Sequence, residues 1–74
     1  MAVTLQLVGP LRNYANGEAE VYSEPGLTIR EAVKSLGIPP EIIALVVVNG
    51  EIEVKDYVLQ EGDVIKLMAV IGGG

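Results

Sequence analysis

The residues that most clearly suggest a chemical role are Gly72, Gly73 and Gly74, which directly follow an apolar segment. Glycine has no Cβ, so enclosing walls can approach it closely and its backbone can adopt conformations that other residues avoid. Three extended residues span about 10–11 Å. The run is therefore suited to passing through a narrow channel, and the group that it would present is the main-chain carboxylate of Gly74. A frayed chain end is the alternative interpretation, because termini are often poorly ordered.

Most other site chemistry is excluded by composition. The 74 residues include no Cys and no His, which removes disulfides, zinc sites, iron–sulfur clusters and the usual nucleophile–base pairs. The ten acidic residues do not form a calcium-loop pattern. We therefore expect no metal site and no bound cofactor, and we expect a protein that is not itself an enzyme.

The charge balance and the apolar runs narrow the choice of partner. The net charge is −5, and the five Lys and Arg residues are spread along the chain, so a basic patch for nucleic acid is not expected. An acidic surface suits either solubility or docking onto a basic protein. The longest apolar run, residues 42–48, is too short to cross a bilayer, and residues 1–9 lack the pattern of a signal peptide. We expect a cytoplasmic protein that binds neither membrane nor nucleic acid.

Short strands are predicted on both sides of a central helix. Alternation of apolar and polar residues predicts a strand at 3–8, and a helical turn at 11–15 precedes a second strand at 19–23. The apolar run at 44–48 predicts a strand with little solvent contact. Asn49-Gly50 predicts a tight hairpin into a short strand at 52–54. The last strand is predicted at 64–71.

The helix is predicted at residues 28–36. Thr28 suits the N-cap, and Glu31 three residues later completes a capping box. Gly37 suits the left-handed position that ends the helix. The apolar residues fall on one face at helical spacing, and they are Ile29, Ala32, Val33 and Leu36. The helix is therefore expected to cover one face of the sheet, which gives a two-layer α+β domain.

Three local sequences, together with this order of elements, resemble the β-grasp fold of ubiquitin-like proteins and, within it, the MoaD/ThiS family of sulfur carriers. They are VVNGE at 47–51, LQEGDVI at 59–65 and VIGGG at 70–74. The resemblance implies a mixed sheet of about five strands with one main helix packed across it. Residues 1–71 would form the domain, and residues 72–74 would form a flexible glycine tail.

Two features bear on the branch of the family. The stretch GPLR at 9–12 resembles the segment that follows the first strand in MoaD-like proteins, the small subunits of molybdopterin synthase. The triple-glycine ending is common among ThiS-like carriers, and Ala69-Val70 stands where MoaD-like chains often have proline. The MoaD-like branch is favoured, and the ThiS-like branch stays open.

The resemblance implies a function for Gly74. An E1-like adenylyltransferase of the MoeB/ThiF type would use ATP to adenylate its carboxylate, and a sulfur donor system would then convert it to a thiocarboxylate. The sulfur would pass to a pterin precursor in the large synthase subunit during synthesis of the molybdenum or tungsten cofactor. In a ThiS-like carrier it would pass to a thiazole synthase for thiamine. Gly72 and Gly73 would thread the carboxylate into these sites.

Docking of the domain is predicted beside the tail. Met68 and Val70 lie on the face of the last strand opposite Ile65 and Leu67, so an apolar patch for a partner is expected there. The alternative is that these two side chains complete the core under a loop.

Two other functions share the same tail. A protein modifier would join Gly74 to a lysine of a target protein, and lysine conjugates would reveal it. A non-covalent binding module would leave the tail idle. Deletion of Gly73 and Gly74 would spare such a module and would abolish both other functions.

Overall fold

The computed structural model describes residues 2–69. Its elements follow the predicted order of strand, strand, helix and three strands. They are β1 (Val3–Val8), β2 (Glu20–Ser23), α1 (Ile29–Ser35), β3 (Ile43–Val48), β4 (Glu51–Glu53) and β5 (Val64–Ala69). A first 3-10 helix, Gly9–Ala15, follows β1, and a second, Pro40–Ile42, precedes β3.

The five strands form one mixed sheet in the order β2-β1-β5-β3-β4. Strands β1 and β5 pair in parallel, and the other three pairs are antiparallel. The last strand is therefore the middle strand of the sheet, and its C-terminal end lies beside the C-terminal end of β1. The predicted β-grasp architecture is confirmed, with a mixed five-stranded sheet and one main helix.

One hydrophobic core joins the sheet to the helix. Thr28 Oγ1 accepts a hydrogen bond from the Glu31 backbone N–H at 3.1 Å, and Glu31 Oε1 accepts one from the Thr28 backbone N–H at 2.8 Å. This predicted capping box starts α1, and Gly37, with a φ of 81°, follows its end. Between them α1 contributes three buried side chains to the core, namely Ile29, Ala32 and Val33.

The prediction that β3 has little contact with solvent is wrong for half of its residues. Val46 and Val48 are buried in the core, whereas Leu45 and Val47 are half-buried and Ala44 is exposed. The reason is that the helix covers one face of the sheet only, so alternate side chains of an apolar strand face outward. We call this outward side the open face.

The predicted hairpin turn joins β3 to β4. Asn49 has a φ of 50° and Gly50 a φ of 89°, and positive values at both central residues match the twist of paired strands. The turn places β4 at the edge of the sheet, where Ile52 is opposite Val47.

Candidate functional site

The end of β5 is the described part of the chain nearest to the predicted glycine tail. Ala69, the last described residue, is nearly buried, because it belongs to the middle strand. A cleft of about 370 Å³ opens beside it between the two 3-10 helices. Its lining residues are Pro10, Asn13, Tyr14, Ile42 and Ala69. We call this cleft the tail-base cleft.

The predicted site residues other than Met68 all belong to the C-terminal segment after Ala69. Val70, Gly72, Gly73 and Gly74 lie outside residues 2–69, as does the predicted continuation of the last strand to residue 71. Their roles stay predictions.

Met68 lies on the open face, as predicted, and not in the hydrophobic core. It is opposite Val8 of β1 on one side and opposite Leu45 of β3 on the other. Side chains of directly opposed residues share a face, so these three form an apolar row across the sheet. Met68 and Leu45 are half-buried, and Val8 is 40% exposed. We call this set, which is the row nearest the end of β5, the tail-side row.

Farther from the tail the open face becomes mixed. Lys66 of β5 is opposite Gln6 on one side and Val47 on the other. Beyond Val47 comes Ile52, whose side chain is 73% exposed. The apolar surface therefore extends from the tail-side row toward the β4 edge, while the centre of the face carries a positive charge.

Val8 and Leu45 were not predicted from the sequence as neighbours of Met68. Their apolar character was visible, but the parallel pairing of β1 with β5 brings together residues that are 60 positions apart. An outward assignment of alternate residues in the run 44–48 would have been the available signal for Leu45.

A polar cluster lies at the other end of β5, around the buried carboxylate of Asp63. Its oxygens accept hydrogen bonds from Asn49 Nδ2, the Tyr57 hydroxyl and the Gln60 backbone N–H, each at 2.9 Å. Asn49 Oδ1 in turn accepts one from the Val64 backbone N–H at 2.9 Å. Asp63 thus joins the β3–β4 hairpin to the turn before β5, and both turns were predicted without this link.

The cluster shifts two pKa values in opposite directions. Burial alone would raise the pKa of Asp63, but the hydrogen bonds from the Gln60 backbone, Asn49 and Tyr57 outweigh it, so the pKa lies below its ordinary value of 3.8. The hydrogen bond to Asp63 is the largest cause that raises the pKa of Tyr57 above 10.0. Because the cluster lies at the start of β5, away from the tail, we assign it to stability of the fold.

Among residues 2–69, no group of three or more His, Cys, Asp or Glu side chains is arranged to hold a metal ion. Within the same residues, no helix has both the length and the apolar character needed to cross a bilayer. The features beside the tail are the tail-side row and the tail-base cleft.

Comparison with known proteins finds one family model and several solved structures that match this chain. Residues 5–74 match the model of the ThiS family. The structure is similar to SAMP1 from Haloferax volcanii, with a TM-score of 0.68 and 21% identity over 100% of both chains. It is also similar to Urm1 from Trypanosoma brucei, with a TM-score of 0.71 and 18% identity, and 99% of this chain and 95% of that chain are covered.

A third similar structure is the complex of subunits 1 and 2 of molybdopterin-converting factor from Helicobacter pylori 26695. Its TM-score is 0.56, with 19% identity and 100% of both chains covered. Curated proteins give no significant match to the sequence. At these identities the three structures establish the shared fold.

Proposed function

The chain belongs to the ThiS family, and we propose that it is a sulfur carrier whose reactive group is the carboxylate of Gly74. The observation that carries the proposal is the extent of the family match, which runs from residue 5 to residue 74 and includes the three glycines. The domain serves as a handle for this tail, and the catalytic groups belong to partner enzymes.

The carboxylate must be activated before sulfur can attack its carbon, because it is ionised at neutral pH and an anionic carboxylate is a poor electrophile. In an E1-like adenylyltransferase, a carboxylate oxygen of Gly74 attacks the α-phosphorus of ATP, and pyrophosphate leaves. Hydrosulfide from the donor system then attacks the acyl carbon. The bond between that carbon and the AMP oxygen breaks, AMP leaves with the electron pair, one proton is released, and a thiocarboxylate remains on Gly74.

The domain must compensate for ordering of the tail. Fixing the backbone of three glycines costs about 3–6 kcal/mol, at about 1–2 kcal/mol per residue. At about 25 cal/mol per Å², burial of roughly 120–240 Å² of apolar surface offsets that cost. A patch of a few aliphatic side chains has this size, and we propose that the tail-side row of Val8, Leu45 and Met68 supplies it, together with the predicted contact residue Val70.

For the sulfur acceptor we propose a pterin precursor held by a large synthase subunit, so that the chain acts as the small subunit of molybdopterin synthase. The first 3-10 helix, Gly9–Ala15, supports this branch because it contains the GPLR stretch. The two-subunit complex of molybdopterin-converting factor among the similar structures also supports a partner subunit. The second candidate is sulfur transfer to a thiazole synthase, which the ThiS family match favours.

Intact-mass analysis of the chain purified from its native host tests the proposal. We expect a fraction whose mass exceeds the unmodified mass by the replacement of one oxygen with sulfur, located at Gly74 and lost on hydrolysis. Deletion of Gly73 and Gly74 should abolish it. If the full chain, supplied with its adenylyltransferase, ATP and sulfide, never gains sulfur, the proposal is wrong.

The acceptor is tested separately with the thiocarboxylated chain. We expect conversion of the pterin precursor when the large synthase subunit is added. Conversion with thiazole synthase alone would assign the chain to the other pathway. Conjugates between Gly74 and target lysines in extract of the native host would establish a protein modifier.

A further inference from the structure

The length of the tail limits where a partner enzyme can lie, given the proposed function. Residues 70–74 extend to about 17 Å at most. A site that holds the Gly74 carboxylate must therefore lie within that distance of Ala69. Any enzyme that encloses the tail covers the surface around the end of β5, and the tail-base cleft opens there because Ala69 is one of its walls.

The 3-10 helix that forms one wall of the cleft is anchored to the hydrophobic core. Leu11 of the first 3-10 helix is fully buried in the core, and the Gly17 backbone N–H closes the end of that helix by donating to the Arg12 carbonyl oxygen at 2.8 Å. The wall residues Pro10, Asn13 and Tyr14 are exposed on the same helix. A site formed in advance loses little entropy when it is filled.

The size and lining of the cleft indicate what fills it. Its volume of about 370 Å³ leaves room for more than one aliphatic side chain, and no charged residue is among its lining residues. Tyr14 is 43% exposed, and Ile42 is half-buried, so both present apolar surface. Within residues 2–69, the side-chain amide of Asn13 makes no hydrogen bond, so it is available to a main-chain group of a partner.

We infer that the tail-base cleft is a socket for aliphatic side chains of the adenylating partner, inserted next to Ala69 as the carboxylate of Gly74 enters the active site. The cleft adjoins the tail-side row, since Val8 precedes the 3-10 helix that contains Pro10 and Tyr14. The two features then form one docking surface, in which the cleft fixes the orientation of the domain about the tail. Because the socket is uncharged, its contribution is independent of salt.

The test compares two variants of the cleft with one control variant. Tyr14→Ala removes a wall of the cleft, and Asn13→Phe fills it from an exposed position. Tyr22→Ala is the matched control, because Tyr22 is 67% exposed on β2 and is not part of the cleft. The assay is pyrophosphate exchange by the adenylyltransferase, with the full-length chain as the varied substrate. Each variant is first checked for an unchanged fold by its NMR spectrum and thermal melting.

We expect both cleft variants to raise the KM for the chain by about tenfold, equivalent to about 1.4 kcal/mol, with kcat unchanged at low and high salt. Tyr22→Ala should leave KM within about twofold. If wild-type chain is adenylated and the cleft variants match Tyr22→Ala, the inference is overturned. If wild-type chain is not adenylated at all, the proposed function fails instead.

A second measurement does not depend on activity. Because the chain contains no cysteine, Asn13→Cys introduces a single thiol at the cleft, and Glu24→Cys places one in an exposed turn as a control. We expect the adenylyltransferase to slow alkylation of Asn13→Cys and to leave that of Glu24→Cys unchanged. Equal alkylation rates with and without bound enzyme at both positions would contradict the socket.

Discussion

Replacement of Asp63 by asparagine tests how much of the stability depends on its buried carboxylate. The carboxylate has two acceptor oxygens, which receive one hydrogen bond from Asn49 and two from Tyr57 and Gln60. An asparagine side chain has the same shape but only one oxygen. Whichever way the amide turns, its NH₂ group faces at least one donor. Asn49 cannot turn to compensate, because its own oxygen is bonded to the Val64 backbone N–H.

The expected loss follows from these bonds. One buried donor left without an acceptor costs about 1–3 kcal/mol, and the bonds that survive change from charged to neutral, which weakens each by about 1 kcal/mol. The variant no longer buries a charge, and this gain offsets part of the lost hydrogen-bond energy. We therefore expect Asp63→Asn to lower the free energy of unfolding by about 2–3 kcal/mol. In a domain of this size that corresponds to a fall in Tm of roughly 8–24 °C.

Urea unfolding at neutral pH measures this loss, and Asp56→Asn is the matched control. Asp56 pairs with Arg30 at 3.2 Å but is 75% exposed, so its replacement should cost less than about 0.5 kcal/mol. Both variants change the net charge equally. If the two variants are equally stable, the carboxylate of Asp63 does not stabilise the fold as inferred.

The pH dependence gives a further check, with a sign fixed by the direction of the pKa shift. The pKa of Asp63 is lowered by folding from an ordinary 3.8, so its stabilisation is fully present above that pH and is lost as the pH falls through the folded value. The difference in free energy of unfolding between wild type and Asp63→Asn should therefore be constant at pH values well above 3.8. It should shrink as the pH falls below 3.8. A difference that persists in strong acid would refute the reasoning.

Substitutions at three further positions, Tyr57, Thr28 and Met68, test other contacts. The pKa of Tyr57 is raised by folding from 10.0, so its stabilisation should be present below that pH and lost as the pH rises through the folded value. In urea unfolding at alkaline pH, the wild type should therefore lose this stability, whereas Tyr57→Phe, which has no hydroxyl to ionise, should not. Thr28→Ala removes the capping box of α1 and should cost about 1 kcal/mol in urea unfolding, whereas Thr28→Ser should cost less. Met68→Glu should raise the KM of the adenylyltransferase for this chain about tenfold or more, with little change in Tm because Met68 is outside the core. An unchanged KM would exclude the tail-side row from docking.

Features decided by near neighbours in the chain could be predicted from sequence. The capping box joins residues three positions apart, and the Asn49-Gly50 turn depends on two residues that tolerate positive φ. The candidate reactive group could be named for a similar reason, since a main-chain carboxylate on a glycine tail needs no tertiary contact to define its chemistry. Composition alone removed thiol, imidazole and zinc chemistry.

Other features depended on which distant segments pack together. The parallel pairing of β1 with β5 places Val8 beside Met68, and the antiparallel pairing of β3 with β5 adds Leu45. Asp63 meets Asn49 across 14 residues, and the tail-base cleft needs both 3-10 helices and the end of β5. Register between separated strands is set by how their side chains fill a common core, and an apolar run by itself does not show which of its residues the helix will cover. The sequence by itself therefore determined the candidate reactive group and the local elements, because these depend on composition and on near neighbours. The proposed docking surface was decided only by the tertiary structure, because it depends on which distant strands pair.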